Sequence, residues 1–439
     1  RRARGAPSRT PRRAVAPVVS RAARAAEPDF RSTTLPNGLT VLSEHMPGVR
    51  SVSFGAWVRS ASVHERPDEM GVSHLLEHMV FKGTERRTAA EIALALEAVG
   101  GSLDAYTSRE HTVYQARVLD QHLELAADVI GDMVFHPALR EEDLALERKV
   151  ILEEIAMVDD TPDDLVFELH NTALWGQHPF GYAILGTRET VGRLGTPELR
   201  ALHARAYHPE HMVVAAAGSV AHDDLLAILE RTGWAARPRG GTPRPAVSPA
   251  PSVGPERRHV ARDGAQTHLV IGSRAIRHGD PRRHALVLVS MLLGGGMSSR
   301  LFQRVREELG LAYAVYTFQS LHQATGMHGV YVGTAPDAAE QAVDAIAGEL
   351  KRLATQGLPD TELAMGKEQL KGQLVLSLES PASRMYRAAT VALYDEPFRT
   401  LDEMLACVDA VTPEAVAEVA QEFFDPAAQT VVSLGPERA

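Results

Sequence analysis

Alternation of apolar and polar positions sets in at Thr33, where TTLPNGLTVLSEHMPGVRSVSFGAWVRSAS reads as a strand, the turn Pro36-Asn37-Gly38 and two further strands. The period then lengthens: VSHLLEHMVF repeats its apolar residues at helical spacing. Two strands follow in GSLDAYTSREHTVYQARVL, then helices from DQHLELAADVIGDMV to EEDLALERKVILEEIAMV. The same order returns later in the chain. There THLVIGSRAI leads to the helix SSRLFQRVREELG, the strands LAYAVYTFQS and GMHGVYVGT, and the helices DAAEQAVDAIAGELKRLAT and DTELAMGKEQLKGQLVLSL. The two series read as degenerate copies, so the fold class is α+β, with two homologous halves that are each a mostly antiparallel sheet packed with helices.

Between the copies, PRGGTPRPAVSPAPSVGP holds six prolines and neither period. Fully extended at about 3.1 Å per residue, such a linker reaches roughly 55 Å. The expected organisation is a disordered basic segment over 1–32, a first half over 33–236, a linker over 237–258 and a second half over 259–439. A chain of 439 residues with 44% hydrophobic content agrees with two cores rather than one.

Composition narrows the function. No apolar run reaches the roughly 18 residues of a membrane span, and the longest candidate, HMVVAAAGSV, has the length of a strand. The single cysteine, Cys407, excludes an internal disulfide and a cysteine zinc cluster, leaving any metal to His and carboxylates. Residues 1–26 hold eight Arg and no acid, so the other 413 residues carry −18 against −10 for the whole chain. An acidic body disfavours nucleic acid and suits basic ligands. The Arg- and Ser-containing start has the composition of a mitochondrial transit peptide, although Pro7, Pro11 and Pro17 interrupt the helix such a peptide needs. With five Lys against 41 Arg, a GC-rich bacterial origin and a cytoplasmic location are expected, with the mitochondrial matrix as the alternative.

The chemistry concentrates in HLLEH. Helical spacing puts His74 and His78 on one face, one turn apart, where both rings can reach one ion, with Glu77 beside them. Pro67 and Asp68 supply helix-start signals, and Lys82-Gly83 a stop. Catalytic zinc takes three protein ligands, so a third is required. In EEDLALERKVILEEIAMV the apolar period runs Leu144, Glu147, Ile151, Glu154, Val158, so two carboxylates stand where hydrophobes are expected. Burying them costs stability unless a cation or hydrogen bonds partner them. Glu153 points off that stripe. His111, His122, His136, His170, His178, His208 and His211 lack ligand spacing and are assigned no metal. LLGGGMSSRLF lacks the Lys-Ser/Thr of a phosphate loop, so no nucleotide site is expected.

HLLEH followed by ERKVILEE resembles the inverted zinc motif of the pitrilysin, insulinase and mitochondrial processing peptidase family, the inverzincins. The third ligand there follows the second His by about 76 residues, and Glu154 follows His78 by 76. GGSLDAYTSREHTVY and GGGMSSRLFQRVREELGLAYAVYT extend the resemblance from about residue 33 to the C-terminus, and the two similar halves are nearest the processing-peptidase-like bacterial branch. The resemblance implies one Zn2+ per chain, held by His74, His78 and Glu154, with Glu77 as general base and Glu147 as a supporting carboxylate. It makes Arg306 and Tyr313 contacts to the substrate carbonyl opposite the zinc. Those two residues lie across the linker from the ligands, so a clamshell whose halves close over the peptide is implied. Asp104 stands where many relatives have Asn on a substrate-pairing edge strand. Acids beyond the third ligand read substrate arginines in processing peptidases, which points to Asp164 and Glu168.

The expected function is a zinc metalloendopeptidase hydrolysing short or unfolded peptides, presequence-like ones with basic residues included, as a homodimer or a heterodimer with a related subunit. The alternative is a non-catalytic or partner-dependent subunit of a processing-peptidase-like complex, and a third reading is maturation of a peptide-derived cofactor. Retention of His74, Glu77, His78, Glu154, Arg306 and Tyr313 argues for the enzyme.

Overall fold

A computed structural model of the chain describes residues 29–242, 246–248, 250 and 254–437, so the expected basic segment up to residue 28 lies outside the described residues. Two sheets organise the molecule. The first contains β1 (Asp29–Thr34), β2 (Thr40–His45), β3 (Ser51–Val58), β4 (Ser102–Thr107), β5 (Thr112–Leu119) and β6 (Met212–Gly218), in the order β1-β2-β6-β3-β5-β4. The second contains β7 (Arg257–Ala261), β8 (Thr267–Ala275), β9 (Ala312–Leu321), β10 (Gly326–Thr334) and β11 (Thr430–Gly435), in the order β7-β11-β8-β10-β9. Without β1 the two orders coincide strand for strand. In each sheet the last strand of the half pairs in parallel, β6 on β2 and β11 on β7, and all other pairs are antiparallel.

Helices α1 (Val72–Val80), α2 (Ala89–Glu97), α3 (Leu123–Phe135), α4 (Glu141–Asp160) and α5 (Pro162–Trp175) belong to the first half. One face of its sheet, with Val52, Phe54 and Val58 of β3 and Val214 and Ala216 of β6, buries Leu75, Leu76, Met79 and Val80 of α1. The opposite face, Leu42, Trp57, Val213 and Ala215, is covered by Met385, Ala388 and Ala389 of the second-half helix Pro381–Leu393. The exchange is reciprocal, because Val166 and Ala173 of α5 cover Val270, Tyr331, Val432 and Leu434 of the second sheet. Each half thus completes the other's core. This explains why HMVVAAAGSV is apolar throughout: β6 is a central strand with both faces covered. A buried Glu44 on β2, close to Arg384 and 3.7 Å from Arg387, fixes that helix on the first sheet.

Several expectations need correction. The first strand starts at Asp29 rather than near Thr33, because Phe30 stacks on Phe398 with ring centroids 3.8 Å apart and the ladder to β2 runs from Asp29. Pro67 and Asp68 open a separate 3-10 turn, and α1 begins after Gly71. In the second half THLVIGSRAI leads first to a helix over Arg283–Gly294, the positional counterpart of α1, while Phe302–Glu308 in SSRLFQRVREELG is π-helical and corresponds to α2. Arg257 and Arg258, assigned to the linker, pair in β7. The described linker residues lie against the body, with His178 Nε2 2.9 Å from the Ser248 carbonyl and Val247 and Ala250 beside Trp175 and Phe180.

Two features set the start of α1. Gly71 has φ 89°, and a Cβ there would stand 2.6 Å from the Leu185 carbonyl oxygen. The Gly71 and Ser73 N–H groups each donate to the Glu65 carboxylate at 2.8 Å. Burial nevertheless pushes the Glu65 carboxyl up to about 7, against the pull of those bonds. Between the ordinary value of 4.5 and about 7 the unfolded chain has lost this proton and the folded chain retains it, so rising pH removes stability across that window. Glu65→Gln is expected to flatten this part of the pH profile of the thermal midpoint; an unchanged slope would remove Glu65 as its source.

Candidate functional site

Three groups converge where α1 crosses α4. His74 Nε2 lies 3.7 Å from Glu154 Oε2, and His78 Nε2 lies 3.6 Å from Glu154 Oε1. Their donor atoms all fall within 4.8 Å of one another, and no other such group of His, Cys, Asp and Glu exists among the described residues. Helical period explains the convergence, since His74 and His78 share one face of α1 and Glu154 follows the buried Glu147 and Ile151 along α4. Glu153 is exposed, as the period requires.

The groups fit zinc on their chemistry. His78 Nδ1 lies 3.1 Å from Glu147 Oε2, and a carboxylate only accepts, so Nδ1 carries the proton and Nε2 presents a lone pair to Glu154. Burial lowers His74 to about 3, so its ring is neutral as a ligand must be. Ring nitrogens facing a carboxylate at separations too long for hydrogen bonds suit a cation between them. Ligands on a tetrahedral ion at 2.0–2.1 Å stand about 3.4 Å apart, close to the spacing found. Glu147 is the orienting partner of His78, and its other oxygen receives Lys82 Nζ at 2.6 Å.

Glu77 is buried beside the ligands, and Thr107 Oγ1 of β4 donates to its Oε2 at 2.6 Å. Burial pushes the Glu77 carboxyl up, and this hydrogen bond opposes the shift. His74, Glu77 and Thr107 open into a cavity of about 880 Å³. Its walls are mainly apolar, from Tyr106, Ile155, Val158, Leu165, Ile184 and Leu185. The wall loop around Leu185 is held against the start of α1 by the close approach of Gly186 to Met70 and Gly71.

Of the other candidates, Glu168 lines this cavity, where burial raises its carboxyl and the Arg109 charge opposes the rise. Asp164 is exposed and outside the lining. Asp104 alternates with Tyr106 onto the face of β4 away from Thr107 and is exposed, though its charge adds to the upward shift of Glu77. Arg306 and Tyr313 come together on the second half, with the guanidinium 4.5 Å from the tyrosine ring centroid. Neither lines the cavity, and Tyr313 is 77% exposed. Sequence reasoning missed Thr107 and Lys82. Strand alternation with Leu103 and Ala105, which pack on the first-half core, was the available signal for Thr107.

Fold and donor set together define a two-half α+β protein that, among the described residues, brings together one group able to hold a metal ion, His74, His78 and Glu154, within an H-x-x-E-H sequence. Residues 40–188 match the family model described as Insulinase (Peptidase family M16), and residues 194–370 match the Peptidase M16 inactive domain. An uncharacterized zinc protease of Mycobacterium leprae is 40% identical over 92% of this chain and 91% of its own length. The uncharacterized zinc protease YmxG of Bacillus subtilis is 39% identical over 89% of this chain and 95% of its own. Among solved structures, a peptidase M16 inactive domain from Pseudomonas fluorescens superposes with a TM-score of 0.87 at 22% identity, covering 94% of this chain and 99% of that one. A Helicobacter pylori protease gives 0.86 at 21%, covering 93% and 100%. The chain belongs to the insulinase family, peptidase family M16. This is the family that HLLEH and ERKVILEE resembled, and its named zinc-protease members support a metallopeptidase.

The supporting role of Glu147 makes a separable prediction. Glu154→Ala should abolish stoichiometric zinc binding, whereas Glu147→Gln should retain the metal with affinity reduced about 10- to 100-fold in competition with a chromophoric chelator. Unaltered affinity in Glu147→Gln would leave that residue a purely structural role.

Proposed function

We propose that the chain is a zinc-dependent endopeptidase acting on short or unfolded peptides. The observation that carries this reading is the placement of Glu77 beside His74, His78 and Glu154 at a cavity bordered by β4, the terminal strand of its sheet. Among the described residues no strand pairs with one backbone edge of β4, so an extended peptide can add to it. Folded proteins cannot present a free strand in this way, which restricts the substrate to flexible chains.

Zinc held by His74, His78 and Glu154 would act as a Lewis acid toward the scissile carbonyl and the attacking water. Glu77 accepts the proton of that water on its carboxylate and passes it to the leaving amine nitrogen, and burial favours a carboxyl able to hold the proton in between. Tyr313, exposed on the second half with Arg306 over its ring and outside the cavity, is assigned a contact to the part of the peptide that extends beyond the cavity. The apolar walls select a bulky apolar side chain next to the cleaved bond. Glu168 supplies the acid for a basic side chain, but the nearby Arg109 charge weakens that selection relative to the apolar one.

An unstructured peptide of about 20 residues, containing both apolar and arginine residues, is expected to be cut by the purified chain. A chelator should abolish cleavage and added zinc restore it. Glu77→Gln should keep its zinc and lose roughly 10²- to 10⁴-fold in turnover. Full activity in that variant would remove Glu77 as base, and a zinc-loaded wild type that cuts nothing would favour the non-catalytic or partner-dependent subunit.

A further inference from the structure

Glu77 lies on α1, but the group that holds its carboxylate comes from the edge strand. Thr107 Oγ1 donates to Glu77 Oε2 at 2.6 Å across 30 residues of sequence. No other hydrogen bond to the Glu77 side chain is found among the described residues. Proton direction along this contact is fixed. The carboxylate accepts, so Thr107 spends its only hydroxyl proton on Glu77. Its oxygen can then only accept in the 3.3 Å contact with Thr112 Oγ1, whose single hydroxyl proton is also directed at the Ser60 carbonyl. Thr112 is fully buried, closes the β4–β5 ladder opposite Thr107, and also lies 3.3 Å from the Ser60 carbonyl.

The turn between these two threonines is anchored on both sides. Ser108 Oγ and Ser108 N–H both donate to the His111 carbonyl, at 2.8 and 2.9 Å, which keeps the turn tight. Arg109 Nη1 donates to the Tyr182 carbonyl at 2.9 Å, within the first half. Glu110 reaches the other half. Its carboxylate accepts from the Gln323 N–H at 3.0 and 3.2 Å and from Tyr394 Oη at 3.3 Å, with His322 Nδ1 3.6 Å away. The second half therefore grips the tip of the hairpin whose first strand is the proposed docking edge and whose last residue before the turn holds the base.

We propose that Thr107 is the positioning residue of the Glu77 carboxylate, and that Glu110 couples it to the second half by fixing the β4–β5 hairpin. This rests on the reading of Glu77 as the general base. One oxygen of Glu77 is pinned by Thr107, which leaves the other turned to the reacting water. A peptide pairing along β4 contacts the same strand that sets the base, so substrate docking and base orientation share one element. Displacement of a reacting group by about 1 Å can cost on the order of 10² in rate, which sets the scale of the effect.

The test compares Thr107→Val, of matching shape without the hydroxyl, with Thr107→Ser, which retains it. Thr107→Val should lower kcat about 10- to 100-fold while KM stays within about twofold and the zinc content stays at one per chain; Thr107→Ser should recover kcat to within about threefold. A crystal structure of Thr107→Val should show the Glu77 carboxylate rotated from its place. Glu110→Ala should lower kcat and raise amide exchange over residues 104–111 about tenfold. Wild-type kcat or an unmoved Glu77 carboxylate in Thr107→Val overturns the positioning role, as does a loss that Thr107→Ser fails to recover. Unchanged exchange in Glu110→Ala overturns the coupling. Measured alongside, an inactive Glu77→Gln would show that the base assignment survives either failure, and an active one would show that the assignment itself is wrong.

Discussion

Two imidazoles and a carboxylate that face one another at 3.6 and 3.7 Å, inside a largely buried crossing of α1 and α4, set the constraint on which the first half depends. Unbridged, this arrangement holds ring nitrogens and a carboxylate together without hydrogen bonds in a medium that screens poorly. A cation converts the same arrangement into a ligand set. The surroundings are organised to hold it: Glu147 fixes the His78 tautomer, Lys82 balances Glu147, and Glu65 caps the start of the helix that carries both rings. Gly71 and Gly186 let the cavity wall approach that helix more closely than any side chain would permit.

The second half has no histidine motif, yet the first half is incomplete without it. The helix Pro381–Leu393 closes the far face of the first sheet, and α5, which follows directly on the ligand-bearing α4, closes the far face of the second. Rigid closure through these helices makes relative movement of the halves costly at the sheets. The finer contacts, those of Glu110 with Gln323 and Tyr394, sit at the hairpin tip. Duplication of one strand order thus supplies a copy that carries the His74, His78 and Glu154 group and a copy that supports it from outside.

What was legible in the sequence follows from the range of the interactions. His74, Glu77 and His78 share one short helix, so their geometry is written in the 3.6 period, and Glu147 and Glu154 announced themselves by standing at apolar positions of a second helix. The succession of strands along the first half followed from alternation and turn residues, but their order in the sheet did not. The start of β1 was missed because its anchor, Phe398, belongs to the other half. The start of α1 was misplaced because the deciding features were the close packing at Gly71 and the reach of Glu65, rather than a helix-start dipeptide. The helix Arg283–Gly294 was overlooked because it lacks the polar landmarks of α1, leaving a nearly uniform apolar run. Thr107 was missed because its partner, Glu77, comes from another element, although alternation with Leu103 and Ala105 puts it on the core-facing side of β4.

The most direct measurement of the central claim is a crystal structure of the Glu77→Gln chain soaked with an unstructured peptide, with anomalous data collected at the zinc edge. The account predicts one anomalous peak bounded by His74, His78 and Glu154, and a peptide lying as an added strand on β4 with a carbonyl directed to that peak. A peak elsewhere, no peak in zinc-supplied protein, or a peptide bound away from β4 would contradict it.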